Sequence, residues 1–197
     1  MILAHVVVVR SIKSVMDLSS NFIQLIQDVV LRPNFASAVV LFVVTLINES
    51  FSVLPYSVIL PGQLLLLEGP LSTFVFVKLS LFVAVPVGLG AALGSLPIYG
   101  LAYFGGKPAI ERFGKYFRVS WNGIEKMESK FKGSWYDEIL FLILRSIPLM
   151  PSLPINAAAG ILRMRLAPYL VLTVAGNIIK MLVMFMFVGF GVEVLAG

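Results

Sequence analysis

The chain has 197 residues, of which 59% are hydrophobic and only 13% charged, with a net charge of +5 and a mean hydropathy of +0.98. A water-soluble domain carries about 25% charged residues, so this composition excludes one and points to an integral membrane protein. The absence of cysteine removes disulfides and thiol chemistry, and a single histidine, His5, leaves most histidine-based catalysis and metal binding without a residue to act through.

The first ten residues, MILAHVVVVR, place their positive charge after a short apolar stretch, which reads against a cleaved signal sequence. Residues 14–31, SVMDLSSNFIQLIQDVVL, mix polar and apolar residues so that Phe22, Leu25, Ile26, Val29 and Val30 share one helical face. That pattern predicts an amphipathic helix within an N-terminal segment, 1–33, ending where Pro33 disfavours helix at Arg32. From 34 to 67 Glu49 is the one charged residue, and Pro55 and Pro61-Gly62 interrupt the run. A helix starting at Asn34 meets Glu49 after about 22 Å, inside the hydrocarbon, where broken backbone is tolerated only against protein or water. The stretch 35–68 is therefore expected to enter, turn and leave on one side, as a re-entrant hairpin.

Residues 71–104 are expected to span the membrane, bent or broken between Pro86 and Gly94, with Gly90 and Gly94 spaced for close helix packing. The segment 105–138 carries seven of the fifteen basic residues. It is expected on the cytoplasmic side as one or two amphipathic helices, with Ser120 as an N-cap ahead of Ile124, Met127 and Phe131. Residues 139–162 hold Arg145 as their one charge, and Pro148, Pro151 and Pro154 break them before a helix resumes toward Gly160. They predict a second re-entrant hairpin, and 167–196 a final span containing Asn177 and Lys180. The expected fold is thus all-α: a single membrane domain, 34–197, in which a hairpin followed by a spanning helix occurs twice with opposite orientation. Inverted repeats of broken helices are a recurring transporter design.

Each hairpin carries one ionisable residue near its turn, and a mid-bilayer charge costs about 2.5–3.5 kcal/mol on insertion scales. Glu49 and Arg145 either neutralise each other and lock the hairpins, or line a polar chamber in which Arg145 takes an anionic group and Glu49 gates or carries a proton.

These stretches resemble the DedA superfamily, also called the VTT or SNARE-associated family, over about residues 35–185. The resemblance is carried by RSIPLMPSLPINAAAG (145–160), by NESFSVLPYSVILPGQ (48–63) and by GAALGSLPIYGLAYFGGKPAIERFGKYFRVS (90–120). It implies two opposed re-entrant hairpins and movement of lipid between leaflets, which bacterial members perform in undecaprenyl-phosphate recycling and eukaryotic relatives perform as scramblases. Glu49 matches the family's hairpin acid and Arg145 its first motif arginine. Gln63 stands where many bacterial members have an acid, and Pro151 where they have a second arginine. The Pro-x-x-Pro form with Asn156 is closer to branches that include eukaryotic scramblases.

The leading expectation is a multi-pass cell-membrane flippase or scramblase for lipids with anionic phosphate head groups. Arg145 and Glu49 form its site, Asn156 and Gln63 are polar lining, and Tyr99 and Asn177 either touch the lipid or bond helix to helix. Two readings stand beside it: a proton- or ion-coupled carrier of a small solute, and a non-transporting scaffold that senses anionic lipid through 105–132. No enzyme activity, cofactor, metal or nucleic-acid partner is expected, while proton coupling and homo-oligomer formation stay open.

Overall fold

Asn34 and Ser37 start the first described helix by capping each other. The Asn34 N–H donates to Ser37 Oγ (2.7 Å) and the Ser37 N–H to Asn34 Oδ1 (3.0 Å). In this computed structural model the described residues are 33–51, 56–63, 72–113, 115, 120–128, 136–148 and 150–196. His5, the expected helix over 14–31, Pro55 and Phe131 lie outside them. Among the described residues every element is helical. They are α1 (Phe35–Phe51), α2 (Tyr56–Gly62), α3 (Thr73–Leu79), a wide π-helical turn (Ser80–Ala84), α4 (Val85–Gly94), α5 (Leu96–Phe113), α6 (Trp121–Glu128), α7 (Tyr136–Ser146), α8 (Ser152–Ile161) and α9 (Leu166–Ala196).

The distribution of side chains is that of a protein surrounded by lipid. On α1, Phe35, Val39, Val43, Ile47 and Phe51 recur every four residues and all face outward, while Ser37, Thr45, Asn48 and Glu49 are buried. On α7 and α9, Ile139, Ile143, Val171 and Phe187 are exposed, and Arg145, Asn156 on α8, Thr173, Asn177 and Lys180 are buried. Water would favour the reverse. Two helical runs, Thr73–Arg112 and Leu166–Gly189, are long and apolar enough to cross a membrane.

The first of these runs is 40 residues long and is not straight. Pro86 enters α4 directly after the π-helical turn, a place where the missing N–H costs little, and the chain turns at Ser95 and bends again at Gly106. The Ser95 hydroxyl donates back to the Ala92 carbonyl (2.8 Å). Gly106 has φ of +55°, a conformation that side chains resist, so helix continues beyond 104 but in a new direction. After that bend Lys107 lies over the Trp121 ring (5.0 Å) and pairs with Glu111 (3.8 Å), while Lys78 caps the other end over Phe74 (4.6 Å). No charged residue lies between Lys78 and Lys107 in the sequence.

Small residues set how closely the helices approach. Gly90 and Gly94 receive the carbonyl groups of Phe42 and Leu46, so the backbones of α4 and α1 touch, as the Gly-x-x-x-Gly spacing leads one to expect. On its other side α4 meets α9: a Cβ at Gly88 would stand 3.0 Å from the Val174 oxygen. Gly160 plays the same part between α8 and α5, where a Cβ would lie 2.5 Å from the Tyr99 carbonyl oxygen. α8 ends in a Schellman turn, with the Met164 N–H bonded to Ala159 O, the Arg163 N–H to Gly160 O (both 3.0 Å), and Arg163 at φ +53°. The helix α6 begins directly after Ser120 and buries Ile124 against the core.

Candidate functional site: a buried paired-charge centre

The described part of α1 runs to Phe51, two residues after Glu49, and α7 stops one residue after Arg145. The prolines account for the stop of α7: Pro148 lies in the turn, and Pro151 immediately precedes α8. Pro154 falls in the first turn of α8, where no helical N–H bond is lost. In the first segment the next described helix, α2, runs from Tyr56 and carries Pro61-Gly62 at its end. α2 meets the break between α7 and α8: the Ser57 hydroxyl donates to the Pro148 carbonyl (3.2 Å), an oxygen in the turn that follows α7.

The charged residues of the two segments meet as well. Arg145 Nη2 donates to Glu49 Oε1 at 2.6 Å, Arg145 Nη1 to Asn156 Oδ1 at 3.0 Å, and Asn156 Nδ2 to Glu49 Oε1 at 3.3 Å. The three side chains close a ring in which each is bonded to the other two. Arg145 is fully buried and Glu49 is 2% exposed. The Tyr56 hydroxyl sits 3.2 Å from Glu49 Oε2 and 3.1 Å from Asn177 Oδ1, with one proton to serve both oxygens. The Asn177 amide nitrogen donates to the Thr173 carbonyl (2.8 Å). Beneath the arginine lies Gly176, where a Cβ would come within 2.7 Å of Arg145 Cγ, so this glycine makes room for the guanidinium's stem.

Of the residues chosen from sequence, Glu49, Arg145, Asn156 and Asn177 are therefore brought together. Gln63 and Tyr99 stand apart from the ring. The Gln63 amide nitrogen donates to Ile59 O (3.5 Å) and its oxygen is buried without a partner. Tyr99 donates its hydroxyl to the Met164 carbonyl at the Schellman turn and stacks on Tyr169 (4.2 Å between centroids), so it holds helix to helix. Three contributors were not picked out: Tyr56, Gly176 and Lys180. A signal for the last was present, since Thr173, Asn177 and Lys180 recur at i, i+4 and i+7 in an otherwise apolar span and so share one face.

Buried ion pairs are weak evidence of stabilisation, because the loss of hydration can exceed the attraction; removing one member alone typically costs about 3–5 kcal/mol. A ring of this kind fixes the relative position of three helices. It also gathers donors that suit an oxyanion.

The family model for the VTT domain matches residues 60–190, about two thirds of the chain. The chain belongs to the VTT domain family, the DedA or SNARE-associated domain. No curated protein and no solved structure matches it. The VTT match takes in Arg145, Asn156, Gly160, Gly176, Asn177 and Lys180, while Glu49 and Tyr56 lie on the stretch before it. The VTT domain is membrane-associated, in keeping with the two apolar spans and the polar interior described above.

Proposed function

We propose that this VTT domain is a flippase or scramblase in the cell membrane that moves lipids with anionic phosphate head groups between leaflets. The observation that carries the reading is the Glu49–Arg145 pair, buried where α1 and α2 meet the break between α7 and α8 inside an apolar shell. In this reading the segments 35–68 and 139–162 are re-entrant hairpins from opposite sides, related as an inverted repeat, and 105–138 lies in the cytoplasm. The polar tips form the path of the head group while the acyl chains stay in the bilayer.

Guanidinium presents a planar fork that matches phosphate oxygens. One edge of Arg145 is held by Glu49 and another by Asn156, so an incoming phosphate takes the place of the carboxylate at Nη2. The Asn156 amide and the Tyr56 hydroxyl, which now serve Glu49, become donors to the incoming oxygens. Exchange of one anion for another lets the head group enter without leaving the arginine bare, and the carboxylate restores the ring when the lipid departs. The breaks themselves are kept by Pro148 and Pro151, whose geometry prevents a continuous helix from closing the path.

The test is reconstitution in liposomes with a fluorescent phosphate-bearing lipid and a membrane-impermeant quencher. Wild type should speed leaflet exchange over empty liposomes, and Arg145→Ala should reduce the protein-dependent rate at least tenfold. Equal rates for the two would refute the role given to the arginine.

A further inference from the structure

Beside the closed ring lies a cation that the ring does not use. Lys180 is on α9, three residues after Asn177 and four after Gly176, on the face that carries Arg145's stem and Tyr56's hydroxyl. It is 3% exposed, while its neighbour Ile179 looks outward. Lys180 interacts electrostatically with both Glu49 and Arg145. Yet among the described residues no carboxylate lies within 4.0 Å of it.

Counting charge makes the imbalance plain. The buried charged groups among the described residues are Glu49, Arg145 and Lys180. Glu49 is bound to Arg145 at 2.6 Å, so the centre keeps one positive charge in excess. A second donor is also left over: Arg145 Nε is buried and has no acceptor. Nor can the lysine reach water along its own helix. It stands 14 residues from Leu166, where α9 begins, and 13 from Glu193, the next charged residue in the sequence. At 1.5 Å per residue those are about 21 and 20 Å, against about 6 Å for a four-carbon stem.

We infer that Lys180 is the residue that receives the ligand's negative charge, at a site for a phosphate-class oxyanion formed with Arg145. Two donors of different helices, one of them an ammonium without a counter-ion, call for a ligand with several oxygens and at least one negative charge. Arg145 alone does not supply this, because its charge is already matched by Glu49. Lys180 attracts the oxyanion first, and the anion then completes Arg145 Nε or displaces Glu49. The choice of phosphate as the oxyanion rests on the lipid-transport reading above; the surplus charge does not.

The experiment uses the full chain in maltoside detergent, which contains no phosphate, with two probes, dioctanoyl phosphatidate and inorganic phosphate, measured by calorimetry. Lys180→Met should weaken phosphatidate binding at least tenfold, and Lys180→Arg should stay within about threefold of wild type. The unliganded melting temperature of Lys180→Met should be equal to or above that of wild type, since an uncompensated buried charge has been removed; Lys180→Gln provides a second neutral variant. Inorganic phosphate that binds and displaces phosphatidate identifies free phosphate as a ligand of the site. Failure of inorganic phosphate to compete identifies the lipid head group. Unchanged phosphatidate binding in both neutral variants, or no binding of either probe to wild type, overturns the inference. The two proposals fail separately: binding lost with Lys180 but no leaflet exchange by wild type sinks the transport reading alone, and exchange with Lys180-independent binding sinks this one alone.

Discussion

Two buried polar regions both draw on α7 and α9, and they are finished to different standards. In the tyrosine layer, Tyr99 stacks on Tyr169, which packs against Phe141 at 5.5 Å. Its hydroxyls end in backbone carbonyls: Tyr169 donates to Ser95 Oγ (2.7 Å), Ser95 to Ala92 O, and Tyr99 to Met164 O. Those hydroxyl chains are complete and carry no charge. In the ion-pair centre, Glu49 and Arg145 are buried together, Lys180 has surplus charge, and Arg145 Nε and Thr173 Oγ1 have no partner. A protein that completes the first region has the means to complete the second. Unsatisfied buried donors are rare in folded proteins, and the two at this centre, with the charge of Lys180, are what the proposed anion site rests on.

The comparison can be broken most forcefully at Arg145. Arg145→Ala leaves the Glu49 carboxylate buried without its cation and should cost about 3–5 kcal/mol, read as a fall in thermal denaturation midpoint. Glu49→Gln combined with Arg145→Met should recover part of that loss, because neither member of the pair is left without the other and Lys180 is the one buried charge that remains among the described residues. Recovery of stability without recovery of leaflet exchange would separate the pair's structural part from its functional one.

Smaller effects come from two glycines, one in each region. Gly160→Ala drives a methyl group against the Tyr99 carbonyl, and Gly176→Ala drives one against Arg145 Cγ and Cβ. Each should destabilise by about 1–3 kcal/mol through overpacking. They should differ in transport: Gly176→Ala displaces the guanidinium and slows leaflet exchange severalfold, whereas Gly160→Ala acts only through stability. The smallest change is expected for Tyr99→Phe, which removes one hydrogen bond and costs about 0.5–1.5 kcal/mol. An exchange rate within twofold of wild type would confirm that Tyr99 belongs to the scaffold.

Much of the polar centre could be read from the chain because charge is so scarce in it. Glu49 and Arg145 are the lone charges of their stretches, and each stands near prolines that forbid continuous helix, which singles them out before any coordinates are seen. What brings them to 2.6 Å is tertiary packing, for which the one-dimensional pattern offers only the Gly90/Gly94 spacing. Tyr56 escaped notice because a tyrosine beside a proline has many bland explanations, and its hydroxyl matters only once α2 folds against α9. Gly176 was invisible for a related reason: its part is to be absent beneath a side chain 31 residues earlier. The bends at Ser95 and Gly106 were equally hard to place, since a membrane helix tolerates glycine and proline at many positions and the neighbours decide which one turns.

The most direct measurement is leaflet exchange of a phosphate-bearing lipid by two variants matched in stability, one from each region. Gly160→Ala provides the scaffold lesion and the Glu49→Gln/Arg145→Met double substitution the site lesion, both reconstituted at equal protein density. Exchange kept by the first and lost by the second is the expected result. Exchange kept by both would show that the buried ion pair is only a clamp, and would contradict the assignment of transport to this centre.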